Sequence, residues 1–523
     1  MKQIRIIYHL ARADFLERVR RYSFLVVLGL VVLLGYQTAA GNVRLQLGQY
    51  RGEFNSAWIA GMMSIIATFF LGWFGFYVVK GSVARDRETG VGQIMATTPM
   101  SRPLYMLGKW LSNFVVLMTM IVILVIFGFV IQLISGESIQ VDLNTYLPPF
   151  VFIVTPLMAM VAAVAVLFEA IPFLSGGFGN VVYFFAFVMI IPFTMDSAIV
   201  KTYPALEPLG MALLKEDMSR EVLQVFPDYD GSFMLGGMDT TIIDTFTWTG
   251  IDWTSSVIAM RFGYIGLAIL VTLLGALFFD RFDPSRAKPR SVQMKSTAST
   301  LKPQVATTSQ ALPQPAHLTP LAPSQSGFVF IRVLISELKL LLKGQRWWWY
   351  AGAAGLFIAS LVSPVESVRT YILPLAWVWP VLIWSGMGNR EMTNNTQQMV
   401  FSSAAPLMRQ LPATWLAGFI VTVLAGSGAL LKLMFAGDGV ALLAWCSAAL
   451  FIPSFALASG VWSNSHKLFE ILYITLWYLG PMNNVPGTDY IGAHSDGYIA
   501  FYIPFSVMLI AAAFIGRARQ LQN

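Results

Sequence analysis

KGSVARDRETGVGQIMATTPMSR, residues 80–102, is a densely charged stretch set between two long apolar runs, 57–79 and 110–134. An α-helix satisfies its own backbone polar groups, so it can cross lipid, and roughly 20 apolar residues suffice for the crossing. The stretch therefore reads as a connector in water between two membrane spans, closed by Lys109 at the start of the second.

The rest of the chain extends that reading. Of its 523 residues, 56% are hydrophobic and only 12% charged, with a mean hydropathy of +0.65. Soluble domains carry about a quarter charged residues, so the expected class is an all-α polytopic membrane protein. About twelve spans are expected. The first six fall at 23–40, 57–79, 110–134, 147–168, 178–199 and 259–280. The second six fall at 351–363, 371–387, 411–435, 440–460, 468–481 and 498–516.

The net charge of +7 follows this topology. With the amino terminus inside, 26 of the 34 Lys and Arg lie on one side, seven on the other, and Arg261 at a boundary. That asymmetry predicts both termini in the cytoplasm and explains the basic balance without nucleic acid. Met1–Arg21 is too charged for a cleavable signal peptide, so the first span is expected to be retained. The lone Cys446, in an apolar run, is expected to be a small buried hydrophobe.

Residues 284–326 break the pattern. They carry Pro284, Pro289, Pro303, Pro313, Pro315, Pro320 and Pro323, many Ser, Thr and Gln, and no acid. Such a segment cannot bury a core and reads as a flexible cytoplasmic linker. Arg286, Lys288, Arg290, Lys295 and Lys302 could meet anionic lipid, but solvation is the simpler role.

The linker separates a first half, 1–283, from a second, 327–523, and the two begin alike. Lys2, Arg5, His9 and Arg12 lie opposite Ile4, Ile7, Tyr8, Ala11 and Phe15. Arg332, Ser336, Lys339, Lys343 and Arg346 lie opposite Ile331, Leu334, Ile335, Leu338 and Leu342. Both are expected to be amphipathic helices at the membrane surface, the second followed by an aromatic belt at Trp347–Tyr350. After its second span each half has a charged loop. Arg87-Glu88 leads through Gln93 and Met95 to Arg102 and Trp110-Leu111. Arg390-Glu391 leads through Gln397, Gln398 and Met399 to Arg409 and Trp415-Leu416, a degenerate internal repeat. The outer loop 201–258 is acidic, with Trp248 and Trp253 expected at the interface, whereas its counterpart near 482–497 is short.

The membrane depth is nearly empty of charge. Glu169 and Glu470 near inner ends, and Asp196 near an outer end, read as interfacial residues rather than proton relays. Pro156, Pro172, Pro192 and Gly176-Gly177 are met more simply by kinks and a tight turn than by a broken-helix binding site. No phosphate-binding Gly-x-x-x-x-Gly-Lys-Ser/Thr loop, His-Glu-x-x-His or Gly-x-Ser-x-Gly motif occurs, and His9, His317, His466 and His494 are scattered. No enzyme, metal or cofactor site is expected in this chain. The charged loop remains. Asp86 and Glu88 among Arg85, Arg87 and Arg102 suit a short helix stopped by Thr97-Thr98-Pro99, either a knob for a partner's cleft or a plain connector.

Arg87-Glu88-Thr89-Gly90, the run Gln93–Pro99 and Leu107-Gly108-Lys109 make this loop resemble the signature segment of type-2 ATP-binding-cassette (ABC) permeases. The Phe278–Pro284 exit is similar to bacterial members. The resemblance covers 1–283, and 327–523 only in layout. It implies two six-span halves with coupling helices that dock on cytoplasmic ABC ATPase subunits, two copies, which hold the ATP and Mg. Carried onto this chain, Arg85, Asp86, Arg87, Glu88, Gly90, Gln93 and Met95 form the first coupling element. Arg390, Glu391, Gln397, Gln398 and Met399 form the second, and 201–258 the outer cap. Thr393-Asn394-Asn395 stands where Gly90 does and the Gly-Lys is missing, which implies asymmetric coupling. The expected role is an exporter permease in a bacterial plasma membrane, moving a hydrophobic or amphipathic substrate such as a drug, antibiotic, peptide or lipid. An ion-gradient-driven twelve-span transporter and a non-transporting scaffold are the alternatives.

Overall fold

The computed structural model describes residues 2–19, 22–39, 43–135, 137, 141–196, 202, 207–236, 244–282, 329–345, 347–403, 405–485, 487–494 and 499–522. The expected linker, 284–326, lies outside the described residues. The protein is a multi-pass helical membrane protein. Seven helices among the described residues are long and apolar enough to span a bilayer, and Leu28–Thr38, Gly177–Pro192 and Trp347–Val362 are shorter apolar helices.

The first group comprises α1 (Lys2–Val19), α2 (Tyr22–Ala39), strands β1 (Arg44–Leu47) and β2 (Tyr50–Gly52), and α3 (Ser56–Val79). Two short helices follow, α4 (Ser82–Glu88) and α5 (Val91–Ala96), then α6 (Arg102–Ser135) and α7 (Leu143–Tyr146). A π-helical turn, Phe150–Val154, leads into α8 (Thr155–Ala170), and α9 (Gly177–Asp196) follows. Helix α10 (Met211–Val225), strands β3 (Phe233–Gly236) and β4 (Asp244–Phe246), and α11 (Ser255–Phe278) complete the group. Helix α3 is its hub, packed against α6, α8 and α9. A Cβ on Gly61 would lie 2.7 Å from Trp248, and one on Gly72 would lie 2.8 Å from Phe187, so only glycine admits those rings. Pro156 stands where the π-helical turn passes into α8, with the Phe152 carbonyl four residues earlier accepting from Arg261 Nε at 3.0 Å, and Pro192 lies inside α9.

The second group begins with α12 (Val329–Leu342) and α13 (Trp347–Val362). Next comes a broken rod of α14 (Val365–Ser367), a π turn, α15 (Leu373–Val378) and α16 (Val381–Trp384). The expected span at 371–387 is thus segmented, because Pro374 and Pro380 remove backbone donors along it. Then follow α17 (Arg390–Thr393), α18 (Gln397–Phe401), α19 (Pro406–Ala436), α20 (Gly439–Ser463), α21 (His466–Trp477) and α22 (Ile499–Gln522). Cys446 is exposed on α20 rather than buried, on a surface that lipid can cover.

Corresponding contacts recur in the two groups. Helix α1 lies on α6 as α12 lies on α19, and α8 pairs with α11 as α20 pairs with α22. Trp110 stacks on Phe114 and donates to Ala159 O at 3.0 Å; Trp415 stacks on Phe419 and donates to Ser454 Oγ at 3.0 Å. Buried Tyr183 donates to Gly72 O, and buried Tyr473 to Trp377 O. The groups meet along α9 and α21, where Trp73 and Phe184 face Tyr478 with ring centroids 6.1 and 6.0 Å away.

At the end of the bundle remote from the charged loops, the chain builds a four-stranded sheet in the order β3-β1-β2-β4. Strand β1 is antiparallel to β2 and β3, and β2 is parallel to β4. The acidic segment expected as a loop thus contributes α10 and two strands to a folded cap seated on Trp58 and Trp248. Asn55 joins cap and membrane bundle: its side chain accepts from Trp58 N at the start of α3 and donates to Trp248 O, both at 2.8 Å. Asn55→Ala should therefore cost about 1–2 kcal/mol and lower the thermal midpoint in detergent. Asn55→Asp, which keeps the capping acceptor, should recover part of that loss in the same thermal-shift measurement.

Candidate functional site

Both charged loops fold into two short helices joined by a left-handed residue. In the first loop Gly90, at φ +74°, links α4 to α5; in the second Asn395, at φ +54°, links α17 to α18. Glycine takes that region freely and asparagine is the side chain that tolerates it best, so Asn395 does the work of Gly90 without being glycine.

Helix α4 is held from every side. The Glu169 carboxylate at the end of α8 accepts from the backbone N–H groups of Gly81, Ser82, Val83 and Ala84 at 2.7, 3.0, 2.5 and 3.1 Å. A carboxylate there satisfies the orphan donors of the first turn and meets the positive end of the helix dipole. Glu169 is accordingly buried as a helix cap, which corrects its expected interfacial role. Asp86 accepts from Tyr105 Oη at 2.7 Å and pairs with Lys109 at 2.7 Å. Lys109 is fully buried and also lies 2.7 Å from Asp14 of α1. Arg85 pairs with Asp14 at 3.6 Å and with Glu17. Arg87 donates to both oxygens of Asp280 at 3.0 Å, beyond the end of α11.

The site residues expected in the first loop therefore divide. Arg85 and Asp86 are committed to partners within the chain, Arg87 is shared between Asp280 and solvent, and Glu88 and Gln93 are exposed. Met95 is half-buried against the shallow hollow formed with Met100, Tyr105, Phe279 and Phe282. Ile94, absent from the expected set, is the most outstanding apolar side chain of the loop, 69% exposed.

The second loop repeats this plan with other residues. Arg390 reaches Glu337 of α12 at 3.5 Å, and buried Glu391 accepts from Gln410 at 2.6 Å and pairs with Arg517 of α22 at 3.3 Å. The same sequence separation divides Asp86 from Trp110 and Glu391 from Trp415, so Arg390-Glu391 corresponds to Arg85-Asp86. The motif had suggested Arg87-Glu88; burial and bonding decide the register instead. Gln410 then stands at the place of Tyr105, and Arg517 supplies the cation that Lys109 supplies in the first loop. Gln397 is half-buried, Gln398 exposed, and Met399, in the register of Ile94, is 74% exposed.

Glu470, expected at an interface with water, is 1% exposed and accepts from Asn180 Nδ2 of α9 at 2.5 Å, across the junction of the two groups. The side chain of Asp196 lies outside the described residues. The signal for these partnerships was weak in the sequence. Asp14, Glu17 and Glu337 are the acids of their two amphipathic helices, and that scarcity is the only hint.

Residues 8–208 match the family model described as ABC-2 family transporter protein. The match begins within α1, takes in α2 to α9 with the first charged loop, and ends before α10. No curated protein matches the chain.

Burial of Glu337 raises its carboxyl pKa above the ordinary value, with nearby Glu391 adding to the effect and Arg390 opposing it. A carboxyl raised in the fold binds its proton more tightly there than in the unfolded chain. Its contribution is greatest below the free-chain value of about 4.3 and declines as pH rises through the raised one. Glu337→Gln should flatten that part of the stability–pH profile in a thermal-shift series. Lys109→Met leaves Asp86 buried without its cation and Asp14 with Arg85 alone, and should cost about 3–5 kcal/mol, read as lost thermal stability or lost accumulation in the membrane.

Proposed function

Because residues 8–208 match the model of the ABC-2 family transporter protein, we propose that the chain is the membrane permease of an ATP-driven exporter. In this reading residues 1–283 and 327–523 are two permease halves in one chain, joined by the linker 284–326. The recurrence of the loop plan, Asp86 with Tyr105 and Lys109 and Glu391 with Gln410 and Arg517, supports the pairing of halves. ATP and Mg belong to separate ABC ATPase subunits, two copies; the charge asymmetry supports both termini in the cytoplasm, and the resemblance of the Phe278–Pro284 exit to bacterial members supports a bacterial plasma membrane.

The observation that carries the proposal is the pair of apolar knobs, Ile94 and Met399, standing in the same register of two loops that lie outside the spans. An exposed apolar side chain that faces neither lipid nor core is the kind of group a protein partner covers. Glu88, Gln93 and Gln398 surround these knobs with hydrogen-bonding groups, whereas Arg85, Asp86, Arg390 and Glu391 hold the loops to the bundle so that a push on a knob moves helices. The cargo follows from the seam. Between α9 and α21 the rings of Trp73, Phe184 and Tyr478 line the junction, which suits a hydrophobic or amphipathic substrate. The buried Glu470 favours a second reading, transport driven by an ion gradient.

The two readings separate in one experiment. Purified from its native membrane, the tagged chain should bring an ABC ATPase with it. Burying an Ile or Met side chain contributes about 1.5–3 kcal/mol, so Ile94→Asp or Met399→Asp should weaken retention of the ATPase by at least about tenfold while leaving the chain folded. Retention unchanged in the double variant overturns the docking assignment. Transport that stops on collapse of the ion gradient, with no ATPase retained, favours the second reading.

A further inference from the structure

The junction of the two groups carries a polar connection at its charged-loop end and a different chemistry above it. Lys80, 4% exposed, ends α3 immediately before α4, and its ammonium donates to Leu174 O at 3.0 Å, Gly176 O at 2.9 Å and Asn180 Oδ1 at 2.7 Å. The other end of the Asn180 amide donates to Glu470 Oε2 at 2.5 Å, and Asn180 itself is 1% exposed. Lys467, one turn before Glu470 on α21, donates to Lys80 O. A Cβ on Gly177 would lie 2.5 Å from Glu470 Oε1, so the carboxylate fills space that any other residue at 177 would occupy. The Glu169 carboxylate grips Gly81 N at 2.7 Å, the next residue along. The start of the first coupling helix is thus wired through Lys80 and Asn180 to a carboxylate of the other group.

Above this connection the junction is aromatic, and two buried polar atoms, Trp73 Nε1 and Thr475 Oγ1, have no hydrogen-bond partner among the described residues. Thr475 lies on α21 between Glu470 and Tyr478. Donors left unpaired in a dry site are costly, and an acceptor-bearing guest would relieve them.

We infer that Lys80, Asn180, Glu470 and Lys467 form a latch that shuts the junction on the side of the charged loops, with Glu470 as its positioning residue. This rests on the exporter reading for its driving force. Displacement of α4 by a partner withdraws Lys80, leaves the Asn180 Oδ1 without its donor, loosens the hold of the Asn180 amide on Glu470, and lets α9 and α21 part below Trp73 and Thr475. The latch contains no proton transfer; its work is to hold two helices together until the loop moves.

The test reads access to Thr475. In a Cys446→Ser background, Thr475→Cys is exposed to a membrane-impermeant maleimide in inside-out vesicles. Labelling should be slow with Glu470 present, and about tenfold faster in Glu470→Ala, as loss of a buried hydrogen bond to a charged group would produce. Glu470→Gln, which keeps an acceptor for Asn180, should stay near the slow rate. Equal rates with Glu470 and with Ala overturn the latch. A second measurement guards against misfolding by Glu470→Ala: with Asn180 and Glu470 both intact, the Thr475→Cys labelling rate is read in the nucleotide-free complex and in a complex whose ATPase is trapped by ATP and vanadate. The trapped complex should label at least severalfold faster. An unchanged rate overturns the latch. If no ATPase is retained, the exporter reading fails and the labelling rates alone decide the latch.

Discussion

Lys109 is fully buried 2.7 Å from each of two carboxylates, Asp14 and Asp86, and the arrangement of the first group follows from how that charge is met. An isolated ammonium in a dry interior is costly, and even a paired one gains little unless its partners are fixed in good geometry. Meeting Lys109 requires α1 to bring Asp14 and α4 to bring Asp86 to the same end of α6. Tyr105, one turn earlier on α6, fixes Asp86 by a hydrogen bond, and Arg85 balances the excess of carboxylate through Asp14 and Glu17. One buried cation therefore ties the surface helix, the first loop and a membrane span into a single body. Exposed pairs such as Arg87 with Asp280 contribute about 0–1 kcal/mol and could not do this.

The second group meets the same constraint differently. Helix α19 has Thr414 where Lys109 stands, so no cation occupies that position. Arg517 comes instead from α22, reaching Glu391 at 3.3 Å and Gly388 O at 3.1 Å, with its guanidinium 4.9 Å from the Phe401 ring. The first loop is thereby fixed to α1, α6 and α8, and the second to α12, α19 and α22. A push on the first loop bears on the start of a span, whereas a push on the second bears on the last helix of the chain. Similar loops with different anchors are a physical route to unequal responses.

Much of the helical layout was legible because a membrane span leaves a coarse signal: some 20 apolar residues between polar ends. The two short helices of the first loop were legible in part, since Thr97-Thr98-Pro99 does end α5. The four-stranded sheet was not, because its strands have three or four residues, too few for an alternating pattern, and pair across distant parts of the chain. Cys446 failed for a related reason: an apolar run in a membrane protein has a lipid face as well as a core face, and composition does not separate them. The inward turn of Arg85 and Asp86 was also hidden, since charge order along a loop says nothing of which side chains meet acids from α1. Asn395 could be read as a replacement for Gly90 only once both were seen to be left-handed.

The two ends of the α9–α21 junction differ in what can hold them. Rings such as Phe185 and Trp477, 6.1 Å apart, attract through shape and dispersion, which survive small sliding of one helix on another. The Asn180–Glu470 bond does not survive it, because a hydrogen bond weakens steeply with distance and angle, and in a dry site its loss is not repaid by water. A displacement of an ångström or two therefore separates the charged-loop end cooperatively while leaving the aromatic stretch in contact. Lys80 makes that threshold sensitive to the loop, since the same backbone that starts α4 positions the ammonium on Asn180. The junction is built to yield first where the charged loop touches it, and a force on α4 is the displacement it is best placed to feel.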